Sequence, residues 1–353
     1  MADKRDIRSM TPEELTEAVT ALGEKAYRAG QIFQRLHRDC VTSFDDITTI
    51  SKAFRGILSN NFEIFAASIA KKLVSEYDST VKYLFRLHDG AYVESVVMRY
   101  KYGLTVCVST QVGCNMGCRF CASTLDGKQR DLTASEILAQ LYAAQRDLGE
   151  NISHIVLMGM GEPLDNYDNV LRFLRLVTDE RGQNKSMRNI SLSTCGIVPK
   201  MYALADENLG LTLSVSLHAP NDEIRQRTMP VAKRWSIEAL LKACRDYTQK
   251  TGRRISFEYA MVDGVNDSDA CAYELADRLA GMLCHVNLIP VNEVAETRLR
   301  RSKRERIDRF RRILEQKHIN VTVRRHLGAD INASCGQLRR QTQKQDQETA
   351  ATP

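Results

Sequence analysis

The first seventy residues show the apolar spacing of short helices. Apolar side chains recur at helical intervals, as at Ile32, Phe33 and Leu36. The segment Thr11-Pro-Glu-Glu14 is typical of a helix start, in which the threonine caps the helix and the second glutamate completes a capping box. We therefore predict a small N-terminal helical domain over residues 1–70.

The pattern changes to a period of two over residues 72–99. Apolar and polar side chains alternate over 81–87, a turn-forming Asp89-Gly90 pair interrupts them, and the alternation resumes over 92–98. An Asp-Gly pair between two such runs is a strong hairpin signal, because these residues readily adopt the left-handed conformations of a tight turn. We predict a β-hairpin linker over residues 71–103.

From about residue 104 the chain alternates strand-like apolar runs with helical stretches. Repeated β/α units favour a parallel sheet, and six such units predict an α/β fold, a partial (β/α)6 barrel open on one side, over residues 104–340. The polar, Gln-rich tail over 341–353 is predicted to be disordered. The predicted strands are Leu104–Ser109, Ile152–Met158, Ile190–Thr194, Leu211–Leu217, Ile255–Met261, His285–Ile289 and Val321–Arg324, and the clearest helices are Ala134–Leu148, Ile237–Lys250 and Glu305–Gln316.

Polar motifs follow most of the predicted strands. In a β/α barrel the carboxyl ends of the strands lie at one face, where active sites are built. Core packing does not require polar residues in that arrangement, so we expect these motifs to form one site. In chain order they are the cysteine loop 114–121, Gly159-Met-Gly-Glu-Pro163, Ser193-Thr194, Ser216-Leu-His218 and Pro290-Val-Asn292.

Length and composition are those of an ordinary globular protein. The 353 residues suffice for one barrel-sized domain and a smaller one. No run of about eighteen apolar residues occurs, and no apolar stretch follows the N-terminal Met-Ala-Asp-Lys-Arg, so we expect a cytoplasmic protein without a membrane span. The clustering of its ten cysteines favours metal and thiol chemistry in a reducing compartment.

Positive charge is concentrated near the C-terminus. The chain has a net charge of +6, and residues 294–353 alone carry +8. Much of this charge lies in the run from Arg298 to Arg312. Such a run fits either a solvated helix face or a surface that binds a polyanion such as RNA.

The most informative motif is the triplet Cys114, Cys118 and Cys121, spaced C-x3-C-x2-C. A closed zinc site needs four ligands, and no fourth cysteine adjoins these three. Three thiolates suit a 4Fe–4S cluster bound through three of its irons, with the fourth iron open to a small molecule. Three core cysteines or a partial zinc site are the alternatives.

The triplet, with Phe120 before its last cysteine, resembles the cluster loop of radical S-adenosylmethionine (SAM) enzymes. Over almost its full length the chain resembles the radical SAM methyltransferases that modify C2 of adenosine in 23S rRNA and tRNA. A related family that methylates C8 tends to have Gln-Cys-Gly-Cys and Gly-Glu-Ala where this chain has Gln-Val-Gly-Cys and Gly-Glu-Pro. The matching strings are Cys107-Val-Ser-Thr-Gln-Val-Gly-Cys114, Met158-Gly-Met-Gly-Glu-Pro163, Leu192-Ser-Thr194, Ser216-Leu-His-Ala-Pro-Asn-Asp222, Asn287-Leu-Ile-Pro290 and Asp330-Ile-Asn-Ala-Ser-Cys-Gly-Gln337.

The resemblance implies one 4Fe–4S cluster on the three cysteines and two SAM molecules per turnover. One SAM is cleaved at the open iron to a 5′-deoxyadenosyl radical, and the other supplies the methyl group. A reducing donor such as flavodoxin or ferredoxin is implied as well, and we expect a monomer that acts on 23S rRNA and tRNA. The residues implied in SAM binding are Gly161, Glu162, Ser193, Ser216, Leu217, His218 and Asn292.

The resemblance also assigns catalytic roles to Cys335, Cys107 and Glu94. Adenine C2 is electron-poor and does not displace a methyl group from SAM, whereas a thiolate does. Cys335 corresponds to the thiol that carries the methyl group and then links covalently to RNA. Cys107 corresponds to the thiol that releases the product by forming a disulfide with Cys335, and Glu94 corresponds to the proton acceptor.

Several of these residues have a plainer interpretation when taken alone. Cys335 would be an incidental thiol, Cys107 and His218 would be core residues, and Glu94 would be a solvated hairpin side chain. For the whole chain, the C8 methyltransferase, another radical SAM activity and a non-enzymatic Fe–S protein that binds RNA remain open. The cysteines expected only to pack are Cys40, Cys195, Cys244, Cys271 and Cys284.

Overall fold

The structure is a computed structural model, and it describes residues 4–291, 299–325, 327–331, 333, 338–339 and 342. The α-helices are α1 (Pro12–Ala21), α2 (Tyr27–His37), α3 (Lys52–Asn61), α4 (Ala134–Leu148), α5 (Tyr167–Thr178), α6 (Val198–Asp206), α7 (Asp222–Thr228), α8 (Ile237–Thr251), α9 (Asp269–Leu279) and α10 (Arg304–Gln316). The strands are β1 (Arg5–Asp6), β2 (Phe62–Glu63), β3 (Ser68–Val74), β4 (Val81–Arg86), β5 (Tyr92–Tyr100), β6 (Gly103–Cys107), β7 (Gln111–Gly113), β8 (Lys128–Asp131), β9 (His154–Leu157), β10 (Ile190–Thr194), β11 (Thr212–Ser216), β12 (Ile255–Met261), β13 (Cys284–Pro290) and β14 (Val321–Val323).

A ten-stranded sheet, ordered β14-β13-β12-β11-β10-β9-β6-β5-β4-β3, organises the protein. Its seven strands from β14 to β6 are parallel, and each of them except β14 is followed by a helix before the next strand of the series. Parallel neighbours follow chain order, as in a β/α barrel. The predicted α/β partial barrel is confirmed, and the predicted strands match the observed ones to within two residues at each end.

The predicted hairpin is present as β4 and β5, which pair antiparallel. It is also part of the barrel sheet, because β5 pairs antiparallel with β6 and places Val96 opposite Cys107. The sequence pattern gave no sign of this second pairing, since backbone hydrogen bonds between strands leave no mark on the side chains. One consequence is that residues of the hairpin lie beside the first strand of the parallel series.

The N-terminal helices pack on the barrel through a continuous hydrophobic core. Thr11 caps α1 and forms the predicted capping box. Arg8, which is 1% exposed, donates hydrogen bonds to the carbonyl oxygens of Val41 and Phe65, and its guanidinium lies over the ring of Tyr142 on α4. Among the described residues, no helix combines the length and the apolar content that a membrane crossing needs.

Candidate active site

A cavity of about 280 Å³ opens where the parallel strands end. Its wall combines residues from the ends of successive strands with the cysteine loop. The barrel therefore brings the polar motifs together at one face, as the sequence predicted. The predicted site residues that line it are Cys114, Cys118, Cys121, Gly161, Glu162, Ser193, Ser216 and His218.

The cysteine loop connects the two strands of a separate ribbon, β7 paired with β8, which the sequence pattern did not predict. The ribbon closes tightly at Gly113, whose φ is +82° and where a Cβ atom would lie 1.9 Å from the carbonyl oxygen of Gly127. The N–H of Cys114 donates to the same carbonyl at 3.2 Å. Only glycine fits at position 113, so a side chain there would open the loop that carries the cysteines.

The cysteine loop rests on the segment that ends α7. The N–H of Arg119 donates to the carbonyl oxygen of Thr228 at 2.9 Å, which joins the two segments. Apolar side chains fill the space behind the loop, so the loop is held by packing as well as by hydrogen bonds. This cluster comprises Met116, Cys118, Phe120, Cys195, Ile197, Met229, Val231 and Trp235.

The three thiols line one cavity. In the described part of the chain, no three His, Cys, Asp or Glu side chains lie close enough together to bind a single metal ion. In a four-iron cluster each thiolate binds a different iron. Burial raises the pKa of Cys114 to about 12 and also raises the pKa values of Cys118 and Cys121. A cationic centre is therefore needed to hold them as thiolates, and the donor set fits a three-cysteine 4Fe–4S cluster.

Glu162 lies just after β9 and is 4% exposed. Its carboxylate accepts hydrogen bonds from the N–H groups of Leu164 at 3.0 Å and Cys195 at 2.7 Å. Burial raises the pKa of Glu162, while these hydrogen bonds lower it. At Gly161, with φ of +104°, a Cβ atom would lie 2.6 Å from Gln111, so the loop passes tightly over β7. Glu162 therefore ties the ends of β9 and β10 together at the cavity wall.

Ser193 and Ser216 lie at the ends of the neighbouring strands β10 and β11 and line the cavity. Leu217 differs, because its side chain is fully buried in the main hydrophobic core. Its N–H donates to the carbonyl oxygen of Glu258 at 3.0 Å, and its own carbonyl accepts from Nε of Arg225 at 3.1 Å. The structure gives Leu217 a packing role, and a contact with SAM stays a prediction.

His218 combines core packing with a place in the cavity wall. Its Nδ1 accepts the N–H of Ala260 at 2.9 Å, which assigns the ring proton to Nε2 in the neutral form. The ring meets Phe120 edge to face, with ring centres 4.8 Å apart. Burial lowers the pKa of His218 to about 3, with Arg225 as a smaller cause. The imidazole is thus neutral at physiological pH.

Cys107, at the end of β6, is 5% exposed and belongs to a small apolar cluster on β5 and β6. Leu327 and Ala333, from the segment that precedes the C-terminal tail, pack against this cluster. Met158 packs there too and also lines the cavity. No disulfide joins two cysteines among the described residues. Cys107 thus lies between the cavity and the C-terminal segment.

Glu94 is fully buried, so the interpretation of it as a solvated hairpin residue is wrong. Its Oε2 lies 3.0 Å from Nζ of Lys82, and its Oε1 accepts the N–H of Arg339 at 2.7 Å. The C-terminal segment is also fixed at Asp330, whose carboxylate accepts from the hydroxyl of Ser75 at 2.7 Å. The residues 328–339 that the structure describes therefore dock on β5 and on the turn before β4.

Some predicted positions fall outside the described residues. They are Asn292, Arg298, Cys335 and, apart from residue 342, the tail 341–353.

Among the described residues, three further ionisable side chains line the cavity: Cys195, Glu258 and Arg324. Cys195 is buried, as expected, but it also faces this site. Glu258 on β12 accepts from Nδ2 of Asn287 at 2.9 Å, and burial raises its pKa. The alternation of Ser256 and Glu258 in an otherwise apolar strand was a signal that could have identified Glu258. For Cys195 and Arg324, the only sequence signal of a place in the site was a position directly after a strand.

The described part of the basic run divides into two groups. On α10, Arg306 and Arg309 both form ion pairs with Asp269 of α9, which favours a solvated, charge-balanced helix face. Arg300 and Arg301 are exposed and lie against the loop after β12, because the N–H of Asp263 donates to the carbonyl of Arg300 at 3.0 Å. That loop is on the same face as the cavity, so this second group is the better candidate for a polyanion contact.

Two family models match the chain. The model described as the radical SAM superfamily matches residues 108–276, and the model described as the ribosomal RNA large subunit methyltransferase N-terminal domain matches residues 5–64. The first range includes the three cysteines and the loops around the cavity, and the second covers the N-terminal helices.

Curated relatives and a solved structure match nearly the whole chain. A protein of Lachnoclostridium phytofermentans described as a probable dual-specificity RNA methyltransferase RlmN is 52% identical over 340 residues, which is 96% of each chain. A protein of Alkaliphilus oremlandii with the same description is 53% identical, over 96% of this chain and 98% of its own. The crystal structure of a radical SAM methyltransferase from Sphaerobacter thermophilus superposes with a TM-score of 0.91 at 44% identity, covering 94% of this chain and 98% of that one.

Proposed function

The chain belongs to the RlmN family of radical SAM RNA methyltransferases, and on this premise we propose that it methylates C2 of an adenosine in 23S rRNA and of an adenosine next to the anticodon in tRNA. In this proposal the methyl group passes through Cys335, and Cys107 releases the product. One observation carries it: the C-terminal segment packs against the cluster that contains Cys107 and binds Glu94, beside a cavity lined by Cys114, Cys118 and Cys121.

Cys114, Cys118 and Cys121 would hold one 4Fe–4S cluster, and the cavity would hold SAM, of which each turnover uses two molecules. When bound and reduced by a donor such as flavodoxin or ferredoxin, these groups supply a radical that abstracts a hydrogen atom. The hydroxyls of Ser193 and Ser216, which line the cavity, would bind the carboxylate or ribose of SAM. Glu162, which also lines it, would face the ammonium group of SAM, and Asn292 would lie near its adenine.

The thiols divide the methyl transfer into steps that adenine C2 cannot carry out alone. Cys335 displaces the methyl group from SAM as a thiolate. After hydrogen abstraction, its methylene carbon bonds to C2 and joins RNA to protein, and the adduct gives up its unpaired electron to the redox system and its C2 proton to Glu94. Cys107 then attacks the sulfur of Cys335, which breaks the bond between that sulfur and the methylene carbon. The carbon takes up a proton and becomes the methyl group of the freed RNA, and an external thiol reductant returns the resulting disulfide to two thiols. This assignment is supported by Ala333, two residues before Cys335, which packs against the cluster that contains Cys107.

Glu94 accepts the C2 proton in this scheme. The ammonium of Lys82 and the N–H of Arg339 hold its two carboxylate oxygens in a fixed orientation. The carboxylate is shielded from bulk water, and it lies next to the segment that bears Cys335. A proton acceptor must be held within reach of its target in this way before its basicity matters.

The RNA would approach over the face that bears Arg300 and Arg301, with phosphates bound by their guanidinium groups. The N-terminal helical domain is a second candidate for RNA contact, supported by the family model that matches it.

Mass spectrometry of nucleosides tests the proposed reaction. The full chain is reconstituted with iron and sulfide under anaerobic conditions and given unmodified 23S rRNA fragments, tRNA, SAM and a reductant. We expect 2-methyladenosine in both RNAs and 5′-deoxyadenosine in solution. The appearance of 8-methyladenosine would identify the C8 reaction instead, and iron binding without 5′-deoxyadenosine would identify a binding protein.

A further inference from the structure

Arg225 on α7 is a fully buried cation beside the cavity. Its guanidinium donates hydrogen bonds to three carbonyl oxygens: Leu217 at 3.1 Å through Nε, and Cys195 at 2.7 Å and Ser216 at 3.2 Å through Nη2. Its Nη1 has no hydrogen-bond partner in the described part of the chain. Against the effect of burial, the carboxylate of Asp222, on the same helix, raises the pKa of Arg225, but it forms its hydrogen bond with the N–H of Ile237, at 2.7 Å.

Such an arrangement is unfavourable without an anionic counterpart. Carbonyl dipoles satisfy N–H groups, but they do not balance a full positive charge that has left water. Burial lowers the pKa of Arg225, but a guanidinium is so basic that it keeps its charge even when buried.

The residues around Arg225 indicate that the anionic counterpart lies at the cysteine loop. Its helix ends at Thr228, whose carbonyl holds the cysteine loop through the N–H of Arg119. Two of its carbonyl partners, Cys195 and Ser216, line the cavity. The guanidinium binds the carbonyl of Cys195 at 2.7 Å, and Cys118 packs against the apolar cluster that contains Cys195. The cation therefore lies close to one of the three cluster cysteines.

We propose that Arg225 is the counter-charge of the cluster held by Cys114, Cys118 and Cys121, and that it raises the reduction potential of this cluster. This inference rests on the proposed function, because it presupposes the cluster. Three thiolates make the cluster anionic, and reduction adds one more negative charge, so a fixed cation nearby favours the reduced form. Arg225 does not line the cavity. It acts as a positioning and electrostatic residue and not as a catalytic one.

The test is a redox titration of the anaerobically reconstituted full chain, followed by the electron paramagnetic resonance signal of the reduced cluster. We expect Arg225→Gln to disfavour reduction at least tenfold, which is about 59 mV for one electron. Arg225→Lys keeps the charge and is expected to stay within a factor of three of the wild type. Arg8→Gln is the matched control, because Arg8 is equally buried and bound to carbonyl groups but belongs to the N-terminal domain.

A second variant tests the charge without removing the guanidinium. Cys244 on α8 is fully buried and close enough for Arg225 to lower the pKa of its thiol against the effect of burial. Cys244→Asp would give Arg225 a carboxylate partner, so we expect the same loss of potential as in Arg225→Gln. Cys244→Ser is the neutral control. If Arg225→Gln does not fold, the comparison of Cys244→Asp with Cys244→Ser still tests whether the charge of Arg225 raises the reduction potential.

Equal potentials in the wild type, Arg225→Gln and Cys244→Asp, with cluster content intact, would overturn the inference and leave Arg225 as a structural brace. A comparable fall of the reduction potential in Arg8→Gln would also overturn the inference, because it would show that the fall comes from a less stable fold and not from a lost charge near the cluster. Failure of the wild type to assemble a cluster would instead contradict the proposed function.

Discussion

Lys82 and Glu94 form an ion pair in the protein interior, with Nζ and Oε2 3.0 Å apart and side chains that are 1% and 0% exposed. The other oxygen of Glu94 accepts the N–H of Arg339. This pair therefore links two strands of the hairpin to the C-terminal segment. Its burial means that neither charge can turn to water if the other is removed.

Replacement of Lys82 by methionine should destabilise the protein by about 3–5 kcal/mol, because it breaks a buried ion pair by removing the ammonium group that lies 3.0 Å from Glu94. The free energy of unfolding from urea denaturation measures this loss. Lys72→Met is the control, since the Lys72–Asp147 pair is partly exposed and surface pairs contribute about 0–1 kcal/mol. If the two substitutions lowered the free energy of unfolding equally, burial would not determine how much the Lys82–Glu94 pair contributes to stability.

Alanine at Cys114, Cys118 or Cys121 should abolish iron binding and SAM cleavage, because a cluster bound by three thiolates does not survive the loss of one. Iron and sulfide content and visible absorbance measure the effect. Cys195→Ala is the sharpest control, since Cys195 lines the same cavity. Loss of iron in that variant would contradict a three-ligand cluster.

Removal of each of the two catalytic thiols should block the reaction at a different step. Cys335→Ala should form neither S-methylcysteine nor an RNA adduct. Cys107→Ala should load the methyl group and add it to RNA but not release it, so a covalent RNA–protein adduct should accumulate. Denaturing gels and mass spectrometry of the adduct separate these outcomes. Normal turnover by Cys107→Ala would rule out the two-thiol mechanism.

Charge reversal should distinguish the two groups of arginines near the C-terminus. Glutamate at Arg300 and Arg301 should weaken RNA binding and reduce the slope of log affinity against log salt by about one per lost phosphate contact. Glutamate at Arg306 and Arg309 should leave RNA affinity nearly unchanged, because these residues pair with Asp269. Binding measured at several salt concentrations is the test, and the reverse pattern would move the RNA contact to α10.

Acid should destabilise the fold through its buried histidines. Burial lowers the pKa values of His218 and His37 to about 3, so both are neutral in the folded state, whereas they take up a proton near pH 6.5 when unfolded. Stability is therefore lost as the pH falls below 6.5, by about 2 kcal/mol per histidine at pH 5. His37→Gln and His218→Gln should each flatten the pH dependence of urea unfolding.

The same two variants separate stability from ligand binding. Only His218 lines the cavity, so only His218→Gln should also weaken SAM binding measured by equilibrium dialysis. Unchanged SAM affinity in that variant would leave His218 as a satisfied core residue.

The sequence by itself determined the elements and the order of the motifs. Helix capping at Thr11, the strand runs of the barrel and the spacing of the three cysteines depend on residues close together in the chain. Parallel strands place their carboxyl ends at one face, so the meeting of the polar motifs there also followed from local patterns. Ser193, Ser216 and Glu162 were found in this way.

The tertiary structure decided which side chains are buried together. Glu94 looked like a solvated hairpin residue, but pairing of β5 with β6 and docking of Arg339, 245 residues away, place it in the interior. Nothing in the sequence around Arg225 marks it as buried, and only the packing of its helix against the ends of β10 and β11, where its guanidinium binds the carbonyl groups of Cys195 and Ser216, makes it a buried cation. Neither burial nor the pairing of distant segments is encoded in a local periodicity, because both depend on which surfaces the rest of the chain covers.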